Sequence, residues 1–275
     1  MSLYCRATLN FVGDADRVAV ATPILDARSS APVGFDRCGF TLLQHASEVM
    51  DWRDEHRVAE VHRPEIVELA SSFTGCDAVV AYPPIVRSPA TARTVEDYAP
   101  IELVHSDFTI DYRAMVTDPT RPYSGFISPL LAELGFGQSD LAKASRLAMI
   151  QFWRNTGPQT PDYPLAVCDV ATMDPRRQVT SVVDSYGGQH LEFEVSFFLA
   201  PALDVDPEVG RDVWYTYPAM TSDEVLVFRT YDSDRELAKQ PVWTPHSAFL
   251  DPNASHGAHN RRESVEMRAL CVWFG

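Results

Sequence analysis

Three observations predict a mainly β protein, an antiparallel double-sheet barrel or jelly roll. Eight short runs rich in Val, Phe, Tyr and Trp follow residue 75. Clusters of Pro, Gly, Asp and Asn separate these runs, as turns separate strands. Only the segment "SPLLAELGFGQSDLAKAS" (128–145) offers a helix in this half, whereas a parallel α/β sheet needs helical crossovers between its strands.

The eight predicted strands are 76–83, 101–108, 146–153, 164–171, 191–198, 212–218, 223–231 and 264–274. Residues 1–75 differ in character, because they mix a strand with helical patterns. In "HRPEIVELASSFTG", Pro64 stands where a first helical turn tolerates it, and Gly75 stands at the end of the helix. The apolar stripe between them is Ile66, Leu69, Ala70 and Phe73. We therefore expect one domain, 1–275, in which the mixed region packs on a β core of residues 76–275.

The composition argues against several classes of function. A formal net charge of −15 disfavours nucleic acid or an anionic membrane surface as the main partner, although a basic pocket for a small anion is compatible with it. No apolar run is long enough to span a bilayer, and the N-terminal stretch lacks the pattern of a secretory signal. The five scattered cysteines form no CxxC motif, so we expect reduced thiols and a cytoplasmic protein.

The segment "IELVHSDF" places a histidine and an aspartate two positions apart in a predicted strand. Because strand side chains alternate between faces, His105 and Asp107 point the same way as Ile101 and Leu103. The last two are apolar, so this face is expected to meet the core, where an unpaired charge is costly. From the pattern alone, a metal site and a hydrogen-bonded pair remain equally open.

A third ligand is expected from another strand, and His246 in "VWTPHSAFLDP" is the leading candidate. Two histidines and one carboxylate form the facial triad of non-haem Fe(II) oxygenases. His256 and His259 lie in the Gly- and Asn-containing segment "NASHGAHNRR", which is typical of a loop, and they rank second. His190 of "HLE" falls on the polar face of its strand and is expected to be solvated.

Arginines near the ends of two predicted strands are candidate ligands for a carboxylate. Arg262 and Ser264 are two positions apart and point the same way, and a guanidinium beside a hydroxyl suits a carboxylate, although a plain surface pair stays open. Farther along that face, we expect Glu266 and Arg268 to pair with each other. Arg154 either orients a substrate or cosubstrate carboxylate or bonds loop carbonyls at the strand end.

Several segments, taken in chain order, resemble one group of enzymes. They are "GFTLLQHASEVMDW", "HRPEIVELASSFTGCDAVVAYPPIVR", "VHSDFT", "FWRNTGPQTPDYPLAVCDVATM", "DEVLVFRTYDSD", "TPHSAFLDP" and "RRESVEMRAL". Their order is similar to that in the cephamycin C-7 hydroxylase component and in fungal gibberellin-desaturase-like and meroterpenoid oxygenases. These are Fe(II)/2-oxoglutarate-dependent enzymes, and the resemblance extends from about residue 35 to the C-terminus.

The resemblance implies a fold, a metal site and a cosubstrate site. The fold is a double-stranded β-helix (jelly roll, cupin-like) with N-terminal and flanking helices. The metal is Fe(II), held by His105, Asp107 and His246. The cosubstrates are 2-oxoglutarate and O2, and the far carboxylate of 2-oxoglutarate is expected at Arg262 with Ser264 beside it.

Two positions depart from the resembling sequences. Phe108 stands where many relatives carry Gln, and Asn155 begins a pair that is Pro-Leu in many of them. We expect both residues to line the substrate side, in a dioxygenase that hydroxylates, desaturates or cyclises a small natural-product-like molecule. Two alternatives are a cupin-like metal enzyme without 2-oxoglutarate and a non-catalytic auxiliary subunit. The N-terminal region could serve as a lid or as the surface of a homodimer.

Overall fold

The structure is a computed structural model that describes residues 2–13, 16–29, 34–201, 212–255 and 257–275. The strands are β1 (Leu3–Val12), β2 (Arg17–Asp26), β3 (Phe40–Gln44), β4 (Ala78–Ala81), β5 (Ile85–Arg87), β6 (His105–Ser106), β7 (Arg146–Asn155), β8 (Leu165–Cys168), β9 (Gln178–Tyr186), β10 (Gln189–Phe198), β11 (Trp214–Thr216), β12 (Glu224–Asp232), β13 (His246–Ala248) and β14 (Ser264–Trp273).

The α-helices are α1 (Phe35–Cys38), α2 (Glu55–Arg57), α3 (Arg63–Thr74), α4 (Thr91–Thr94), α5 (Tyr112–Thr117), α6 (Ser124–Ala132), α7 (Gln138–Lys143) and α8 (Ser233–Leu237). A π-helical turn, Val58–His62, joins α2 to α3. Short 3-10 turns occupy Glu96–Tyr98, Val170–Thr172, Pro175–Arg177 and Ala258–Asn260.

The strands form two sheets. The eight-stranded sheet has the order β1-β2-β11-β8-β13-β6-β10-β9, and the six-stranded sheet has the order β3-β12-β7-β14-β4, with β5 also paired to β14. Neighbouring strands run antiparallel except for β2 and β11, which are parallel. This architecture confirms the predicted mainly β jelly roll with flanking helices.

All eight predicted strands are present, but 101–108 is reduced to two residues of strand, His105–Ser106. The prediction missed β9, because most of its side chains are half-buried or exposed and give no apolar run. It also placed only one strand before residue 76, where the structure has three. Since β1 and β2 join the eight-stranded sheet and β3 the six-stranded sheet, the sheets do not break at residue 75.

The predicted helix near residue 64 is confirmed as α3, and Gly75 ends it with a positive φ of 66° that favours glycine. Ile66 and Ala70 are fully buried against the outer face of the six-stranded sheet. On β7, Phe152 belongs to this outer cluster, whereas its neighbour Trp153 lies on the opposite, inward face. The helix therefore covers one face of the sheet, and the other face lines the space between the sheets.

The second predicted helical segment, 128–145, forms parts of two helices, α6 and α7, rather than one. No helix in the described ranges is long and apolar enough to cross a membrane. The five cysteines are all buried free thiols.

Candidate active site

Two neighbouring strands of the eight-stranded sheet bring the predicted triad together. His246 on β13 is the direct antiparallel partner of His105 on β6, and their ring centroids lie 4.3 Å apart. Oδ1 of Asp107 lies 4.0 Å from Nε2 of each histidine. All three residues are buried, and one ligand atom from each lies within 4.8 Å of the other two. The alternation of the strand pattern therefore placed these residues on a common inward face.

Backbone carbonyls orient both imidazoles. Nδ1 of His105 lies 2.7 Å from the carbonyl oxygen of Leu103, and Nδ1 of His246 lies 3.0 Å from that of Thr244. Since a carbonyl oxygen only accepts, each Nδ1 carries the proton, and each Nε2 presents its lone pair toward Asp107. Hydrogen bonds of this kind fix the tautomer of a metal-binding histidine.

The protonation states suit a divalent cation. Burial, followed by the neighbouring His246, lowers the pKa of His105 to about 3, and burial also lowers the pKa of His246. Burial would raise the pKa of Asp107, but the Arg268 charge helps to outweigh it and holds that pKa well below its usual range. Two neutral imidazoles and one carboxylate are thus ready at neutral pH, which is the ligand form that a metal requires. The residues fit Fe(II).

Arg262 borders a small cavity that the triad also borders, and Arg262 and its neighbour Ser264 are both buried. Nε of Arg262 donates to Oγ of Ser264 at 3.1 Å, and its Cζ lies 5.2 Å from the centre of the Trp153 ring. Burial and then the nearby Arg87 lower the pKa of Arg262 to about 10, so the guanidinium remains charged at neutral pH. None of the described carboxylates forms an ion pair with it. A buried cation without a counter-ion suits an anionic ligand.

Trp153, which borders the small cavity, carries a further hydrogen-bond donor. The indole Nε1 of Trp153 is buried and has no hydrogen-bond partner in the described part of the chain. The cavity itself measures about 20 Å³, so a five-carbon dicarboxylate fits only after its lining side chains move apart. Its lining consists of Arg87, Ile101, His105, Asp107, Gln151, Trp153, Leu165, Phe228, His246, Ala248, Arg262 and Glu266. The hydrogen-bond donors suit the carboxylates of 2-oxoglutarate, but the cavity must widen before the molecule can bind.

A larger cavity of about 220 Å³ opens on the other side of His105 and Asp107. Its walls are mostly aromatic and aliphatic, and its charged lining residues are Asp107 and Arg268. Phe108 borders it and packs against Tyr112 with a centroid distance of 4.6 Å. Its lining includes Tyr82, Ile85, Tyr98, Tyr123, Phe126, Tyr186, Leu191, Phe193, Val195 and Phe197. An apolar cavity beside a metal site is the usual place for a small organic substrate.

Arg154 does not reach this site. It lies on the outward face of β7, donates to the carbonyl oxygens of His45 (2.8 Å) and Ser222, and stacks on Trp52. Bonding loop carbonyls is the second of the two roles that the sequence left open. The alternation along β7 explains the difference, since Trp153 points inward and Arg154 therefore points outward.

Asn155 and the loop histidines also lie apart from the triad. The Asn155 amide donates to the carbonyl oxygens of Pro158 and Met220, both at 2.9 Å, and borders neither cavity that contains the ligands. His259 is exposed, and His256 lies outside the described residues. His190 is exposed, as its place on the polar face of β10 predicts.

The sequence reasoning missed the partner of Asp107. Arg268 lies on the inward face of β14, and its Nε donates to Oδ2 of Asp107 at 3.0 Å. Its NH2 lies 3.6 Å from Glu266, the residue with which it was expected to pair, and Glu266 pairs more closely with Arg87 at 2.8 Å. The sequence indicates that Arg262, Glu266 and Arg268 share one face of the strand, because they are separated by even numbers of residues. It does not show that this face lies against the triad.

Known proteins are similar to this chain in sequence and in fold. The alpha-ketoglutarate-dependent dioxygenase phiK of Fungal sp. (strain ATCC 74256) is 25% identical over 246 residues, which are 86% of this chain and 78% of that protein. The hydroxylase/desaturase efuI of Hormonema carpetanum is 29% identical over 254 residues, 90% and 82% of the two chains.

The structure of the iron and alpha-ketoglutarate-dependent endoperoxidase NvfI superposes with a TM-score of 0.69 at 21% identity, over 98% of each chain, and so shares the fold. A protein-family model described as "Oxidoreductase/YMDC permease-like domain" matches residues 9–272. Because this match spans nearly the whole sequence, the chain belongs to the Oxidoreductase/YMDC permease-like domain family.

Proposed function

We propose that the protein is a non-haem Fe(II)/2-oxoglutarate-dependent dioxygenase that oxidises a small molecule. The observation that carries the proposal is the buried convergence of His105, Asp107 and His246 beside a small cavity that also contains the Arg262 guanidinium, with a second, apolar-walled cavity against His105 and Asp107. The enzyme class is the one that the sequence predicts, and the name of the relative phiK states an alpha-ketoglutarate-dependent dioxygenase.

The metal site would be formed by the two Nε2 atoms and by Oδ1 of Asp107. When bound, Fe(II) and 2-oxoglutarate supply the oxidising power, since they activate O2 for attack on a substrate C–H bond. His105 and His246 act as neutral ligands whose Nδ1 protons remain on backbone carbonyls. His105, Asp107 and His246 would supply three ligands to the metal, which is the donor set of a facial triad.

The small cavity is the proposed 2-oxoglutarate site. Arg262 would neutralise the far carboxylate of the cosubstrate, and Ser264, whose hydroxyl oxygen now accepts from Arg262, would donate its own proton to the same group. The Trp153 indole N–H offers a further donor. This arrangement favours 2-oxoglutarate chemistry over a cupin-like reaction without 2-oxoglutarate, because that reaction leaves a buried guanidinium with no ion-paired carboxylate among the described residues.

The larger cavity is the proposed substrate site. Its aromatic walls would bind an apolar, natural-product-like molecule, exclude water and hold one C–H bond near the metal. Hydroxylation, desaturation and cyclisation all begin from such a placement. Phe108 directly follows Asp107 and borders the large cavity. It is the proposed determinant of which substrate C–H bond lies near the metal.

Four further expectations belong to this proposal. The motif order supports a relationship to the cephamycin C-7 hydroxylase component, and the strands shared between both halves of the chain support a single domain, 1–275. The five buried free thiols support a cytoplasmic location. A homodimer is the fourth expectation, and sedimentation of the purified protein tests it.

Succinate formation tests the proposed function. The purified protein would be loaded anaerobically with Fe(II) and 2-oxoglutarate, exposed to O2 and assayed for succinate. We expect slow turnover without substrate, and its loss in His105→Ala and in Arg262→Ala. His190→Ala is the control, because His190 is an exposed histidine that bonds only a backbone carbonyl among the described residues. Metal binding without succinate would favour the enzyme without 2-oxoglutarate, and failure to bind any divalent metal would favour the auxiliary subunit.

A further inference from the structure

We propose that Arg268 is a positioning residue that restricts Asp107 to a single metal-binding oxygen. The inference rests on the proposed metal site and adds a residue that neither the motifs nor the relatives assign. It follows from how the structure divides the two carboxylate oxygens between different partners.

The carboxylate of Asp107 faces two ways. Its Oδ1 lies 4.0 Å from Nε2 of both His105 and His246, on the side where the metal would sit. Its Oδ2 accepts the Nε–H of Arg268 at 3.0 Å. A rotation of the carboxylate that offered both oxygens to a metal would break this charge-assisted hydrogen bond. The guanidinium therefore holds the carboxylate plane in the orientation that presents one oxygen.

Glu266 and Arg87 in turn hold Arg268 in place. Its NH2 lies 3.6 Å from Oε1 of Glu266, and NH2 of Arg87 donates to the same oxygen at 2.8 Å. Arg87 also donates to the carbonyl oxygens of Asp97 (2.7 Å) and Ala99 (3.0 Å), in the loop before β6. The order Arg87, Glu266, Arg268, Asp107 therefore connects the backbone of that loop to the metal ligand.

The charges along this chain of contacts balance. Arg87 and Arg268 supply two cations, and Glu266 and Asp107 supply two anions, all of them buried or nearly so. A buried charge without a partner is strongly unfavourable, so removal of any one member leaves its neighbour uncompensated. The balance keeps Arg268 against Asp107 rather than turned into the large cavity, which it also borders.

One consequence is functional. A carboxylate that binds through one oxygen uses one metal position, whereas a carboxylate that binds through both uses two. Because the cosubstrate and O2 need the remaining positions, a fixed single-oxygen ligand keeps those positions available.

The substitution Arg268→Lys tests this role, because it keeps the positive charge and removes the rigid Nε–H geometry. Co(II) binding to the metal-free protein would be measured by competition with a chelating dye. Loss of an outer hydrogen-bond partner typically weakens metal binding about 10- to 100-fold, and we expect a rise of about tenfold or more in Kd. The control is Arg146→Lys, since Arg146 donates Nε and NH2 to Asp232 in the same fashion (3.1 and 2.8 Å) away from the triad.

The outcomes separate this inference from the proposed function. If the wild-type protein binds no Co(II), the proposed metal site is wrong. It is also wrong if the His105→Ala variant binds Co(II) as tightly as wild type. If wild type binds Co(II) at the triad and Arg268→Lys binds it within about twofold of wild type, the positioning role is wrong while the site stands.

A crystal structure of the Co(II)-loaded wild-type protein gives an answer that does not depend on how the variant folds. We expect Oδ1 of Asp107 on the metal and Oδ2 on Nε of Arg268. Both carboxylate oxygens on the metal, or Arg268 turned away into the cavity, would overturn the inference.

Discussion

Replacing Arg262 with Met should weaken binding of 2-oxoglutarate and leave the metal ligands in place. Met keeps much of the length of the side chain but removes the buried charge and its donors. Arg262 does not contact the triad directly, since its described hydrogen-bond acceptors are Oγ of Ser264 and the carbonyl oxygen of Tyr163. We therefore expect the substitution to weaken the affinity for 2-oxoglutarate and to leave metal binding unchanged.

The size of the effect follows from the burial of Arg262. Its exposed fraction is 6%, and none of the described carboxylates forms an ion pair with it, although Glu266 and Asp162 attract it from a greater distance. A bound 2-oxoglutarate would therefore be its direct carboxylate partner. Hydrogen bonds to charged groups contribute about 1.5–3 kcal/mol each, and truncating one member of a buried charged pair costs about 2–5 kcal/mol. A loss of about 3 kcal/mol corresponds to a rise of roughly 100-fold in the Kd for 2-oxoglutarate.

The assay is an anaerobic titration of 2-oxoglutarate into the Fe(II)-loaded protein, read from the visible absorption of the chelated 2-oxo acid. Arg154→Met is the matched control, because Arg154 is equally buried but bonds loop carbonyls on the outer face of β7. We expect its affinity for 2-oxoglutarate to remain within about twofold of wild type. An unchanged Kd in Arg262→Met, or a larger loss in Arg154→Met, would refute the assignment of the carboxylate site.

Three further predictions concern the substrate wall, the pH dependence of stability and one glycine. Phe108→Leu should change the product or the preferred substrate in a product analysis while uncoupled succinate formation stays near wild type, because Phe108 lines the large cavity and is no ligand. Burial lowers the pKa of His62 to about 4, below its unfolded value, so the unfolded chain binds more protons as the pH falls from 6.5 toward 4. Stability should therefore drop by about 2 kcal/mol between pH 7 and 5 from this group, and urea unfolding of His62→Gln should lack that part of the drop. Gly39→Ala should cost more than about 1 kcal/mol in the same assay, since its φ is 86° and a Cβ would overlap Oγ1 of Thr244. It should also weaken Co(II) binding, because the Thr244 carbonyl orients His246.

Much of the fold could be predicted from the sequence because the central strands are buried and rich in β-branched and aromatic residues. β7 and β12, for example, are buried along nearly their whole length, and each contains a run of four apolar residues, 147–150 and 225–228. The N-terminal hairpin was harder, since β2 is largely exposed or half-buried and its pattern is weak. β13 has only three residues, too few for any period to appear.

The triad could be predicted because alternation needs only local sequence. His105 and Asp107 follow two positions whose character indicates the inward face, and His246 completed the set through the resemblance. The same rule of alternation explains Arg154. Its neighbour Trp153 on β7 points inward and lines the small cavity, so Arg154 points outward.

The contact between Arg268 and Asp107 could not be predicted. The two residues are 161 positions apart, with Arg268 on β14 of one sheet and Asp107 directly after β6 of the other, so their meeting depends on how the sheets face each other. The sequence offered a nearer partner, Glu266, two residues away on the same face. Tertiary structure decided between the two carboxylates, and the triad residue is the closer partner.

The most direct test of the account is an anaerobic crystal structure of the protein with Fe(II) and 2-oxoglutarate. The account predicts Fe(II) on Nε2 of His105, Nε2 of His246 and Oδ1 of Asp107, with the far carboxylate of 2-oxoglutarate on Arg262 and Ser264. Iron bound elsewhere, or 2-oxoglutarate bound with its far carboxylate away from Arg262, would contradict it.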